Sequence, residues 1–401
     1  MALLVSTNLI QCFLSKGTWF PLTVIQGTLG GGAYMAHQVC LFAYIPELSR
    51  DPADVPNIMT STKIYETVAI LGFFVLGLGL PLAILTGCGP DNEVTGAVIG
   101  QVIVVMIGAP LSALGISMMR KRPALHKLAP GENLATIGIL QVGRTFGTLR
   151  SKYPNLLGFF AGYTLWESAT GAVTTITGQY VIEQLTGLSF TFVAVPMILC
   201  VIPGAMMALY IAKKRLLTSK QSVIAATVLF TFSILMVAFF AHSPETATAI
   251  FPFVPFVGMA NGWIYPAQRN LLFELIPGGS EAEMMGFFQF CSMILSWLPP
   301  LTFIVLGNAL GGDLRWALMV VPILHTLGAV ILFFACDVEQ GKKDIANTLS
   351  LRHYGDEAES GGMSKMDDVE LTNVMTSSND PEESANAITS TDDRTASVSS
   401  F

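Results

Sequence analysis

The sequence has little charge. Only 12% of its 401 residues are Asp, Glu, Lys or Arg, whereas 52% are hydrophobic. Soluble domains carry about 25% charged residues, and 21 basic plus 28 acidic side chains are too few to cover the two soluble domains expected at this length. This composition excludes an ordinary soluble enzyme and is typical of a polytopic membrane protein.

The signatures of several membrane enzymes and pumps are also missing. No Walker A or GxSxG sequence occurs, no Asp lies within an apolar run, and the five histidines are dispersed. The six cysteines stand singly and form no CxxC pair, so we interpret them as small packing residues: they are Cys12, Cys40, Cys88, Cys200, Cys291 and Cys336. We expect no catalytic residue, no metal site and no cofactor.

Apolar runs predict about ten helical spans, because a helix needs roughly 20 apolar residues to cross a bilayer. The runs are 1–14, 19–45, 66–86, 95–119, 155–180, 190–212, 222–242, 248–268, 284–308 and 316–336. The first is short, about 21 Å at 1.5 Å per residue. The pattern predicts an all-α helical bundle in the membrane.

The basic residues indicate the orientation, since Lys and Arg near span ends tend to stay cytoplasmic. Segment 120–153 carries seven bases and segment 213–221 carries four, whereas segments 87–94, 181–189 and 243–247 carry none. Placing the basic segments inside puts 19 of the 21 bases in the cytoplasm. Both chain termini are then expected to be cytoplasmic.

The long basic segment divides the spans into four and six. Two six-helix halves joined by a long cytoplasmic loop form the major facilitator plan, and on that plan the first two of twelve spans are missing here. We therefore expect an incomplete N-terminal half at 1–119, a central cytoplasmic loop at 120–153 and a six-helix half at 154–336. A genuine ten-span protein is the alternative.

The acidity belongs to the C-terminal tail. Residues 337–401 hold 14 acids and five bases, a net charge of −9, and the rest of the chain is at +2. Few large apolar residues occur in this tail, so we expect a disordered cytoplasmic segment. Its Ser and Thr clusters beside acids are compatible either with phosphorylation or with a plain solvated terminus.

One acid, Glu167, lies in the middle of a predicted span. Ionisable groups in lipid cost several kcal/mol and usually face a cavity or a partner. At helical spacing Glu167 shares a polar face with Tyr163, Thr170 and Thr174. Either Glu167 binds a substrate amine or carries a coupling proton, or it is hydrogen-bonded between helices for packing.

Other polar residues within spans are weaker candidates for the solute pathway. His37, with Gln26 in the same span, could exchange a proton near neutral pH, although a lone His more often only packs. Asn261 could line the cavity, but Gly258 and Gly262 on the same helix also suit close helix packing.

Two sequence stretches resemble the autophagy-related vacuole effluxer branch of the major facilitator superfamily. The first contains Arg269, Leu275-Ile-Pro277, Glu281-Ala-Glu283 and Gly286-Phe-Phe288, followed by Ser296-Trp-Leu-Pro-Pro300. The second is Tyr44-Ile-Pro-Glu-Leu48, near which Phe42 occurs where the family usually has Asn. Arg269, Glu274, Glu281 and Glu283 could form a cytoplasmic gating cluster, with ordinary loop solvation as the alternative.

The resemblance implies a secondary transporter that exports amino acids or similar small solutes from a vacuole or lysosome-like compartment. We expect alternating access with spans 155–180, 248–268 and 19–45 around the cavity, a small solute and the lipid bilayer as partners, no nucleic acid, and a monomer. The competing class is a non-transporting membrane sensor or scaffold that signals through the acidic tail.

Overall fold

The computed structural model describes residues 2–15, 17–43, 54–73, 92–118, 134–188 and 190–347, and within those ranges all regular structure is helical. The N-terminal helices are α1 (Ala2–Gln11), α2 (Trp19–Ile25), α3 (Gly31–Ala43), α4 (Val55–Phe73) and α5 (Asn92–Met118). A π-helical turn, Gln26–Gly30, joins α2 to α3 without a break.

The helices of the second part follow in the order α6 (Leu134–Lys152), α7 (Pro154–Glu183), α8 (Phe190–Lys214), α9 (Ser219–Phe240), a 3₁₀ segment (Pro244–Ile250), α10 (Val254–Leu275), α11 (Glu281–Ile294), α12 (Leu298–Ala309), α13 (Leu314–Ala317) and α14 (Val320–Ala335). Residues 338–347 are also helical. Helix α6 lies within the segment that the sequence assigned to the central loop, and most of the predicted tail, 348–401, lies outside the described residues.

Five helical segments in the described part of the chain are long and apolar enough to cross a bilayer. They are Val98–Met118, Phe190–Lys214, Ser219–Phe240, Glu281–Ala309 and Leu314–Ala335. The 3₁₀ segment and α10, bent by 43°, make a sixth if they count as one span. The predicted fold class, an all-α polytopic membrane protein, is confirmed.

Two predicted spans differ from the structure for identifiable reasons. Helix α4 begins at Val55, eleven residues before the predicted start, because Lys63 and Glu66 pair with each other at 3.2 Å along the helix and do not end it. Residues 74–86 of that span lie outside the described residues. The run 284–308 matches the span Glu281–Ala309, but the helix is interrupted within it, between Ile294 and Leu298, since Pro299 and Pro300 lack the N–H groups that an unbroken helix would need.

Glycines bring two helix pairs into close contact. A Cβ at Gly258 or Gly262 of α10 would lie 2.0 Å from the carbonyl oxygen of Met197 or Val201 on α8. Gly158 of α7 approaches the Ala335 carbonyl of α14 in the same way, at 2.1 Å. The close packing considered as an alternative for the Gly258 face therefore occurs, and it fixes α10 against α8.

One end of the bundle carries Lys152, Lys214, Lys220 and Lys342, and we call it the basic end. Here Lys220 Nζ donates to the carbonyl oxygens of Phe333 and Cys336, at 2.8 and 2.6 Å, and so caps the last turn of α14. Lys342 pairs with Glu274 at 2.9 Å. Lys220 thus joins α9 to the end of α14, and Lys342 joins the helical residues 338–345 to α10.

Candidate functional site

Glu167 lies midway along α7 and is hydrogen-bonded to α10. Gln268 Nε2 donates to Glu167 Oε2 at 3.1 Å, and the Gln268 Oε1 atom accepts from Trp166 Nε1 at 2.9 Å. Gln268 and Trp166 are fully buried, whereas Glu167 stays partly exposed. The amide of Gln268 therefore orients the Glu167 carboxylate from α10.

Two buried cations flank this carboxylate. Lys63 of α4 is 8% exposed and Arg269 of α10 is 5% exposed, and both interact electrostatically with Glu167. Lys63 Nζ bonds Glu66 at 3.2 Å and lies 4.1 Å above the ring of Tyr265. Two acids and two bases thus share one site inside the bundle, and their formal charges cancel.

Arg269 is surrounded by aromatic rings. Its guanidinium carbon lies 3.3 Å from the ring centroid of Tyr265, 4.3 Å from that of Phe42 on α3 and 5.7 Å from that of Phe288 on α11. Its Nη1 atom donates to the Tyr265 carbonyl, and its Nε atom has no hydrogen-bond partner among the described residues. Cation–π contacts of this kind hold α3 and α4 against α10 and α11.

An aromatic layer lies beside Arg269. Tyr163 stacks on Phe288 with ring centroids 4.0 Å apart, and Phe159 stacks on Tyr163 at 5.9 Å. Tyr163 is buried, so the polar face of α7 does not begin at an open cavity there. Its ring instead packs α7 against α11.

The rest of the α7 polar face changes in exposure along the helix. Thr170 Oγ1 lies 2.8 Å from the Trp166 carbonyl and 3.0 Å from His325 Nε2, while Gly171 and Thr174 are exposed. His325 is fully buried, and its Nδ1 lies 3.0 Å from the Val321 carbonyl. Because a carbonyl only accepts, Nδ1 carries a hydrogen, and Thr170 faces the other nitrogen.

His37, Gln26 and Asn261 lie apart from these contacts. Gln26 begins the π-helical turn and donates to Asn8 Oδ1 at 3.1 Å, joining it to α1. His37 and Asn261 are partly buried on α3 and α10. π-helical turns are frequent at functional sites. The spacing of apolar residues in the sequence does not predict this one.

The gating residues do not form the single cluster expected from their proximity in sequence. Arg269 packs among rings, Glu274 pairs with Lys342 and accepts from the Ser219 hydroxyl, and Glu281 accepts from the Gly279 N–H at 2.9 Å. Glu283 accepts from Thr145 and, at 3.0 Å, from Gln141, which joins α11 to α6. The reason why these residues do not cluster is geometric. Residues five apart on a helix differ by about 140° in direction, so Arg269 points inward and Glu274 points to the basic end.

The sequence reasoning missed Lys63, Gln268 and Phe42. In the sequence, Lys63 is one of the 19 bases assigned to the cytoplasmic side. A Lys three residues before a Glu on a helix nevertheless predicts an ion pair between the two side chains. Within the described residues no group of three or more His, Cys, Asp or Glu side chains could hold a metal ion.

Comparisons with known proteins agree with this architecture. Two solved structures of FucP share the fold at 14% identity: one is described as the E. coli fucose:proton symporter, with a TM-score of 0.57 and 84% of each chain covered. The other is described as a major facilitator superfamily transporter in the outward conformation, with a TM-score of 0.59, covering 84% of this chain and 81% of that one. Among curated protein sequences none matches. A sequence profile of the family described as "Vacuole effluxer Atg22 like" matches residues 2–346, and the chain belongs to that family, with the major facilitator fold.

Proposed function

We propose that this protein exports amino acids or similar small solutes from a vacuole or lysosome-like compartment, as a secondary transporter working by alternating access. The observation that carries the proposal is the hydrogen bond from Gln268 to Glu167 at 3.1 Å, which places this carboxylate beside the α10 turn that carries Arg269, with buried Lys63 near enough to interact electrostatically. Burying the two cations Lys63 and Arg269 inside a membrane protein is costly, and a site of two acids and two bases offers complementary charges to a zwitterion.

The site matches the two ends of an amino acid. The carboxylate of Glu167 suits an ammonium group, and the cations suit a carboxylate. Gly171 and Thr174, one and two turns further along α7, are exposed, and a Cβ at Gly171 would meet nothing within 4 Å, so a substrate side chain could lie there. Glu66 pairs with Lys63 at 3.2 Å, and a substrate carboxylate would compete with it for this cation.

Contacts around Arg269 and Lys63 suit alternating access. Phe42 and Lys63 belong to the predicted half 1–119, and Tyr265, Arg269 and Phe288 to the predicted half 154–336. Separation of these groups would open the bundle toward the basic end, and their association closes it. The basic residues favour a cytoplasmic location for that end and for both termini.

The test is uptake and release by proteoliposomes that contain the purified full-length protein. Labelled amino acids are supplied with and without a pH gradient, and Glu167→Gln is compared with Glu183→Gln, an exposed carboxylate near the end of the same helix. We expect flux in the unmodified protein and in Glu183→Gln, and at least a tenfold loss in Glu167→Gln, as expected for one charge-assisted contact.

Two outcomes would contradict the proposal at different levels. Normal flux in Glu167→Gln would remove this carboxylate from the mechanism. No flux of any solute under any gradient, by protein that is folded and correctly inserted, would favour the sensor or scaffold class.

A further inference from the structure

A long groove follows the membrane-facing surface between α9 and α14. Its part nearer the basic end has a volume of about 430 Å³ and is lined by Thr227, Thr231, Leu235, Thr326, Ala329 and Phe333, among others. A second part of about 350 Å³ shares Thr231, Leu235 and Thr326 with it and reaches Met319. We call the two parts together the α9–α14 groove.

A polar cavity adjoins this groove at the basic end. It has a volume of about 740 Å³ and shares Phe333 and Phe334 with the groove. Arg215 and Lys220 line it, together with Glu274, Asp337, Glu339 and Lys342. We call it the terminal cavity, and it lies at the ends of spans, at the depth of lipid headgroups.

The acids of the terminal cavity are already occupied. Glu274 and Glu339 lie 2.9 and 3.8 Å from Lys342, and Asp337 accepts from the backbone N–H groups of Glu339 and Gln340. Among the described residues, by contrast, no carboxylate pairs with Arg215 or Lys220. The lining holds three acids and three bases, and the exposed Lys213 and Lys214 beside it bring the net formal charge to +2. Lys220 keeps one of its three N–H donors after its two bonds to the Phe333 and Cys336 carbonyls, and Arg215 is exposed, so both can contact an anion.

Arg215 occupies a backbone position that favours glycine. Its φ is 51°, and it is the only non-glycine residue with positive φ in the described part of the chain. The Leu216 N–H bonds the Ile211 carbonyl at 3.1 Å, which is the usual end of a helix with glycine at this position. A side chain kept there against this backbone preference suggests a function for it.

We propose that the terminal cavity and the α9–α14 groove together bind an anionic phospholipid. The phosphate lies between Arg215 and Lys220, and one acyl chain follows the groove past Ala329. The groove from Phe334 to Met319 spans about 20 Å along α14, enough for a chain that crosses its own leaflet of roughly 15 Å. Basic pockets between spanning helices are suited to such headgroups.

The test compares two lipids with identical chains, dioleoyl phosphatidylglycerol and dioleoyl phosphatidylcholine, added to the full-length protein in detergent. Native mass spectrometry measures the lipid retained, and thermal unfolding measures stabilisation. We expect preferential retention of phosphatidylglycerol and about a fivefold loss in Arg215→Gly, the effect of one basic contact with an anionic headgroup. Without lipid, Arg215→Gly is expected to unfold at the same or a higher temperature, because glycine adopts positive φ freely.

Matched variants separate the parts of the proposal. Ala329→Phe fills the groove and is expected to reduce retention, whereas Met206→Phe, on an exposed face of α8, is not. Arg144→Gln removes an exposed charge from α6 and is also expected to have no effect.

Three results would overturn the proposal. Equal retention of the two lipids would indicate ordinary annular lipid. Stabilisation by soluble glycerol 3-phosphate as strong as that by phosphatidylglycerol would indicate a free-phosphate site. An equal loss in Arg144→Gln and Arg215→Gly would indicate a general effect of charge. None of these readouts depends on transport.

Discussion

Adding one methyl group at Gly262 tests the packing of α8 against α10. The Cβ of an alanine there would lie 2.0 Å from the Val201 carbonyl oxygen, although such contacts essentially never fall below 3.0 Å. The helices would have to separate by at least about 1 Å. The obstacle is backbone, so no side-chain rotation relieves it.

The expected cost follows from the opposing terms. Overpacking that forces backbone shifts lowers the free energy of unfolding by about 1–3 kcal/mol. Replacing glycine by alanine within a helix raises it by about 0.5–1 kcal/mol. Gly262→Ala is therefore expected to destabilise the protein by up to about 2.5 kcal/mol, and by about 1 kcal/mol at the middle of both ranges. Gly171→Ala is the matched control, because its Cβ meets nothing within 4 Å, and it is expected to stabilise the protein by about 0.5–1 kcal/mol.

The assay is thermal unfolding of the purified protein in detergent, followed by tryptophan fluorescence. A lower midpoint for Gly262→Ala and an equal or higher midpoint for Gly171→Ala would support the packing. If Gly262→Ala were as stable as the unmodified protein, α8 and α10 would not be in contact at this glycine.

Two further predictions concern the cations. Lys63→Met removes the charge above Tyr265 and is expected to favour opening at the basic end. In a variant that retains Cys291 as its single cysteine, this buried thiol should then react several times faster with a maleimide. The hydrogen bond to Glu274 raises the pKa of Lys342 above 10.5, so its stabilisation is complete below that pH and is lost as pH rises through the raised value. Since Lys342 is 44% exposed, we expect Lys342→Gln to cost less than about 1 kcal/mol equally at pH 6 and 9, and nothing once the ammonium group is deprotonated.

Both predictions have direct controls. Lys214→Met removes an exposed charge from the basic end and should leave the rate of Cys291 labelling unchanged. Equal labelling rates in Lys63→Met and Lys214→Met would contradict the expectation that the contact of Lys63 with Tyr265 keeps the basic end closed. A difference in stability between Lys342→Gln and the unmodified protein that grows as the pH rises above 10.5 would contradict the assigned sign.

Much of the fold could be predicted because apolar runs end where helices end. The runs 155–180, 190–212 and 222–242 correspond to Pro154–Glu183, Phe190–Lys214 and Ser219–Phe240. Helical periodicity also placed Glu167 on a polar face near the middle of its span. The role proposed for Glu167 in transport stays a prediction.

The partners of Glu167 could not be predicted, because periodicity gives the face of a helix and not what packs against it. Lys63 and Tyr265 are about 200 residues apart in sequence, and only the packing of α4 on α10 brings them together. The separation of Arg269 from Glu274, by contrast, follows from helical periodicity, since residues five apart lie about 140° from each other around α10.

The π-helical turn Gln26–Gly30 fixes the rotation of everything that follows it in α3. Such a turn holds one residue more than an α-helical turn, so it offsets later side chains by about 100° from where an unbroken α-helix would place them. Removal of a single residue from Gln26–Gly30 would rotate α3 back and turn Phe42 away from Arg269, about three helical turns further on. A one-residue difference in this turn between two related chains would thus change the closure of the basic end without altering any residue that forms it.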